Sequence, residues 1–95
     1  MNEERQTILI VDDTPENIDV LGGILRPYYR VKVAINGERA LAIANGESQP
    51  DLILLDIMMP GMSGYDVCRQ LKANLATRRV PVIFCTAMGE EDDER

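Results

Sequence analysis

The chain has 95 residues, 45% of them apolar and 27% charged, which fits one soluble globular domain and excludes a chain disordered throughout. Its net charge is −6, but residues 89–95 hold five acids and one base, leaving 11 acids against 9 bases elsewhere. There is no basic cluster beyond the Arg78-Arg79 pair, and no apolar run nears the ~20 residues of a membrane span, so neither direct nucleic-acid binding nor membrane insertion is expected.

Residues 1–6 are polar and hold no apolar signal region. The first apolar run, Thr7–Val11, is near-continuous, as in strands covered on both faces by helices. A helix is expected next, with Thr14 as N-cap, Pro15 at its first position, Ile18, Leu21 and Leu25 at helical spacing, and Pro27 as stop. Arg30–Ile35 alternates Val31, Val33 and Ile35 with polar residues and reads as an edge strand with one wetter face. A second helix is predicted over 37–45, with Ala40, Leu41 and Ala44 as its stripe and Gly46 as its stop. Asp51–Leu55 is the second continuous run. A third helix starts near Ser63-Gly64 and carries Val67, Cys68, Leu71 and Leu75 on one face. Val80–Cys85 is the third continuous run, and residues 89–95 are read as the start of a fourth helix. Such alternation implies an α/β fold. Cys68 and Cys85 match no metal or redox spacing and read as buried free thiols in a reducing, cytoplasmic setting.

The acids fall at informative places. The first run leads straight into Asp12-Asp13, and the second into Asp56. In open parallel sheets ligands bind beyond the carboxyl ends of the strands. If these strands are neighbours, three carboxylates meet there and repel one another. Mg²⁺ would relieve the conflict, since it takes oxygen ligands and often sits beside phosphates. Aspartate is also a covalent acceptor of phosphoryl groups. The third run ends at Thr86-Ala87, which brings a hydroxyl to the same edge. The alternative for any single Asp is a turn former or a helix cap, and Asp13 is a candidate for the latter. No phosphate-loop motif is present, and the absence of histidine excludes histidine-based acid–base chemistry.

ILIVDD (8–13), LILLDIMMPGMSG (52–64) and PVIFCTA (81–87) together resemble the signatures of response-regulator receiver domains, in the same order and spacing. The resemblance covers the chain from about residue 7. It implies a flavodoxin-like doubly wound parallel sheet of order 2-1-3-4, the fifth strand and helix of the family having no counterpart in this sequence. It implies phosphotransfer to Asp56 from a sensor histidine kinase or phosphotransfer protein, with Mg²⁺ as cofactor and control of an output domain. Asp13 would bind the ion directly, Asp12 would act through water, and the Met58 backbone carbonyl would complete the set with Asp56. Thr86 would contact the phosphoryl group as switch residue, the Ala87 backbone N–H would face it, and Pro60, Gly61 and Gly64 would shape the loop.

The sequence departs from the family after the fourth strand. Residues 1–95 therefore read as one receiver domain incomplete at its C-terminus. The family's lysine on the fifth strand has no equivalent, since neither Lys32 nor Lys72 lies in that context. Impaired phosphorylation is expected, and the apolar fourth strand is expected to form a homodimer edge. The competing readings are a degenerate receiver that only docks or dimerises, and a small Mg²⁺-dependent phosphatase. The phosphatase is disfavoured by Met58, which stands where a second acid is usual.

Overall fold

A computed structural model of the chain describes residues 5–85. Strands and helices alternate as β1 (Thr7–Val11), α1 (Pro15–Leu25), β2 (Arg30–Ala34), α2 (Gly37–Ala44), β3 (Leu52–Asp56), α3 (Gly64–Ala73) and β4 (Val82–Cys85). The strands form one parallel sheet of order β2-β1-β3-β4. This is the flavodoxin-like α/β arrangement, and it makes β1 and β3 neighbours.

Helices on both faces explain the continuous apolar runs. Leu9, Val11, Ile53 and Leu55 share one core with Ala40 and Ala44 of α2 and with Val67 and Leu71 of α3. Ile8 and Ile10 take the opposite face with Ile18 of α1, and Leu52 and Leu54 pack there partly buried. Each fully buried Leu, Ile or Val is worth about 1.5–3 kcal/mol over its exposed state, so the alternation along β1 fixes that strand in place from both sides.

Helix starts are set by local chemistry. The Asn36 side chain accepts from the Arg39 backbone N–H at 2.8 Å and opens α2. Ser63 and Asp66 form a reciprocal capping box at α3. Thr14 does occupy the N-cap of α1 with Pro15 behind it, but its side chain makes no capping bond.

Several expected boundaries shift, each for a local reason. β3 runs one residue later than expected: the Asp51 carboxylate accepts from the Thr7 N–H at 2.7 Å and clasps the strand entry, while Asp56 joins the ladder. β4 begins at Val82, because the Val80 N–H closes a turn on the Thr77 carbonyl and Pro81 has no N–H to give. Ile35 lies beyond β2 and is exposed, since the register with β1 ends at Ala34. α2 is not stopped by a left-handed glycine: Gly61 alone has positive φ among the described residues, and Asn45 bonds back to the Leu41 carbonyl instead. Leu75 does not extend the α3 stripe. The helix ends at Ala73, Asn74 turns the chain, and Leu75 is 76% exposed. Both cysteines are free but only partly buried. β4 is not sheathed like β1 and β3, and Ile83 is 51% exposed on it. The expected fourth helix lies outside the described residues.

Candidate functional site

The site forms where β1 and β3 end side by side. Val11 is in register with Ala34 on one side and Leu55 on the other. The next residue, Asp12, stays tied to β2 through its N–H, which donates to the Ala34 carbonyl at 3.1 Å. Asp56 is the last residue of β3. One oxygen from each of Asp12, Asp13 and Asp56 lies within 4.8 Å of the other two. Asp12 and Asp56 are buried, each 6% exposed, and Asp13 is exposed. Buried carboxylates at this spacing are costly unless charge is compensated. An all-oxygen donor set of this kind fits a hard divalent cation.

The three acids are held differently. Asp12 is engaged on both oxygens, accepting from the Thr14 N–H at 2.9 Å and from the Asn17 side-chain amide at 3.2 Å. The turn-forming role weighed for an Asp in this segment therefore belongs to Asp12, and it coexists with membership of the cluster. Asp56 accepts from the Met58 N–H at 3.3 Å. Asp13 projects into solvent at the mouth.

The β3–α3 loop supports Asp56 from behind. Gly61 takes the left-handed backbone, φ 76°, that glycine adopts without strain. Gly64 packs so closely that an added Cβ would strike the Asp56 carbonyl oxygen and sit 2.8 Å from the Ile57 Cα. Its N–H donates to the Ile57 carbonyl at 2.9 Å. Met59 tucks into the core, whereas Met58 stays 62% exposed and helps line a cavity of about 460 Å³ with Ile57, Met59, Pro60 and Ser63.

Cys85, which has no place in the sequence-derived site, sits beside these acids. It is the register partner of Asp56 across β3 and β4. Its thiol is pushed above its ordinary value of 9.0, first by burial and then by the charges of Asp12 and Asp56. Aligning VIFC against ILLD in parallel register is the signal that would have found it. Thr86 and Ala87 lie outside the described residues.

The family model for the response regulator receiver domain matches residues 8–95. The chain belongs to this family. Receiver domains are phosphorelay signalling switches, and the acidic cluster of this one lies at the carboxyl edge of its sheet.

Two curated relatives show how such a receiver is embedded. This one is 49% identical over 89 residues to the probable cyclic di-GMP phosphodiesterase of Vibrio cholerae, covering 94% of this chain and 20% of that protein. It is 47% identical over 87 residues to the response regulator PleD of Caulobacter vibrioides, covering 90% of this chain and 19% of that one. The chain thus spans about a fifth of these relatives' length, and the phosphodiesterase activity is that of the whole Vibrio protein. Among solved structures, the receiver domain of the sensor histidine kinase PA1611 from Pseudomonas aeruginosa superposes with a TM-score of 0.82 at 36% identity, covering 93% of this chain and 75% of that one. That structure has a magnesium ion coordinated in its active site cleft.

Proposed function

We propose that this receiver accepts a phosphoryl group on Asp56 from a phosphohistidine of a sensor histidine kinase or phosphotransfer protein, in a Mg²⁺-dependent reaction, and thereby controls an output domain or partner in the cytoplasm. The observation that carries the reading is the convergence of Asp12, Asp13 and Asp56 within 4.8 Å at the ends of two neighbouring strands, in a chain of this family.

A carboxylate oxygen of Asp56 attacks phosphorus, and the P–N bond breaks with its electron pair on the donor imidazole. Asp13, Asp56 and the Met58 backbone carbonyl would hold the cation, and Asp12, whose oxygens accept from the Thr14 N–H and the Asn17 amide, would support it indirectly. Mg²⁺, when bound, neutralises charge on the transferring oxygens. The Met58 N–H donates to one oxygen of Asp56 at 3.3 Å and helps hold the carboxylate in place. Thr86 and the Ala87 N–H, next in sequence after β4, are the phosphoryl contacts this reading assigns. Catalysis is confined to phosphorylation and dephosphorylation of the domain itself. The phosphoryl group stabilises one conformation over another and so shifts the population that the output reads.

Among the described residues β4 is the outer strand, with Ile83 51% and Phe84 39% exposed. An apolar edge of this kind recruits another chain, so the second part of the proposal is a homodimer through β4. Light scattering on the eluting chain should give twice the monomer mass; a stable monomer would remove this part.

The phosphoacceptor reading is tested by incubating the chain with acetyl phosphate and Mg²⁺ and recording intact mass. A single phosphoryl adduct, of low yield in keeping with the impaired phosphorylation expected from the sequence, should form on wild type and none on Asp56→Asn. An adduct that survives in Asp56→Asn, or no adduct in wild type, would overturn it.

A further inference from the structure

Cys85 is the direct register partner of Asp56 in a parallel ladder, and such partners project to the same face of the sheet. Both Asp12 and Asp56 act electrostatically on its thiol, which places the sulfur in the field of the site. The thiol is free and partly buried, and a free cysteine behaves as a small hydrophobe with a weak S–H donor. Among the described residues Cys85 is the β4 side chain in register with Asp56, and it offers water little to bond to there.

We infer that Cys85 is a positioning residue of this site, a neutral and poorly hydrated wall that keeps water off the β4 side of an acyl phosphate formed on Asp56. The inference rests on the phosphoacceptor reading and adds a control on how long the phosphoryl group persists. Loss of the group is hydrolysis. A water oxygen attacks phosphorus, the P–O bond to Asp56 breaks, the carboxylate departs with the electron pair, and the water proton passes to bulk solvent. Serine keeps the shape of the side chain but carries a hydroxyl that hydrogen-bonds water. Valine keeps an apolar wall.

The test forms the adduct with acetyl phosphate and Mg²⁺, removes the donor, and follows decay by intact mass for wild type, Cys85→Ser and Cys85→Val. Mg²⁺ affinity is measured on each by calorimetry. Cys85→Ser should lose the adduct several-fold faster, Cys85→Val should decay at the wild-type rate, and Mg²⁺ affinity should be equal in all three. Equal decay in all three would overturn the inference and leave the phosphoacceptor reading intact. Equally fast decay in both variants would also overturn it, because packing rather than dryness would then be the cause. No adduct on the wild-type chain would overturn the phosphoacceptor reading and this inference with it.

Discussion

Gly64→Ala should be among the most damaging single-methyl additions in this domain. The new Cβ would strike the Asp56 carbonyl oxygen and come within 2.8 Å of the Ile57 Cα and 2.9 Å of the Asp56 carbonyl carbon. All three are backbone atoms of the strand end that carries the candidate phosphoacceptor, so no side chain can swing away. Overpacking of this sort costs about 1–3 kcal/mol, and rigid neighbours place it at the upper end. Moving the start of α3 outward also stretches the Gly64 N–H bond to the Ile57 carbonyl, now 2.9 Å, which adds about 1 kcal/mol. The expected loss is about 3–4 kcal/mol, against a total stability of about 5–14 kcal/mol for a chain of this length. Gly23→Ala is the matched control. It lies inside α1 with nothing within 4 Å of an added Cβ, so it should stabilise by about 0.5–1 kcal/mol. Urea unfolding at neutral pH reads both, as midpoint shifts in opposite directions at constant slope. A Gly64→Ala cost below about 1 kcal/mol, the lower limit for overpacking, would refute the claim that α3 is wedged against the strand end.

Other expectations follow from single contacts. Ser63→Ala removes the α3 capping box and should cost about 1 kcal/mol by urea unfolding; an unchanged midpoint would deny the cap its role. Thr77 is fully buried and its hydroxyl donates to the Leu71 carbonyl at 2.7 Å, so Thr77→Val should cost about 1–3 kcal/mol, and a stabilised variant would contradict this. Because the Cys85 thiol is raised in the fold, its contribution to stability is present below its ordinary value of 9.0 and is lost as pH climbs through the higher folded-state value. Melting temperature followed into alkaline pH should therefore fall less steeply in Cys85→Ser than in wild type, and identical slopes would contradict the assignment.

How much could be read from sequence depended on whether the cause was local. Continuous apolar runs marked β1 and β3 because both faces of each are covered, and the alternation Val31, Val33 marked β2 as an edge. Asp12, Asp13 and Asp56 were legible because a carboxylate directly after an apolar run must emerge at the sheet's carboxyl end. Their meeting within 4.8 Å depends on β1 and β3 being neighbours, which is tertiary and entered through the family resemblance. What stayed hidden was cross-strand or reciprocal. The Asp51 clasp on Thr7 moved the start of β3. Asp13 was a candidate cap for the first helix, but it is Asp12 whose carboxylate accepts from the Thr14 N–H. Leu75 kept helical spacing in sequence but fell beyond the point where Asn74 leaves the helix. Cys85 joined the site only through its register with Asp56.

The central claim, that Asp56 is the phosphoacceptor, is tested most directly by chemical trapping. The chain is treated with acetyl phosphate and Mg²⁺, reduced with borohydride, digested and sequenced by mass spectrometry. Borohydride converts an aspartyl phosphate to homoserine and leaves a free carboxylate untouched. The account predicts homoserine at position 56 alone, dependent on Mg²⁺ and on an intact Asp13. Homoserine at position 12 or 13, or none at 56 under conditions where the intact mass shows an adduct, would contradict it.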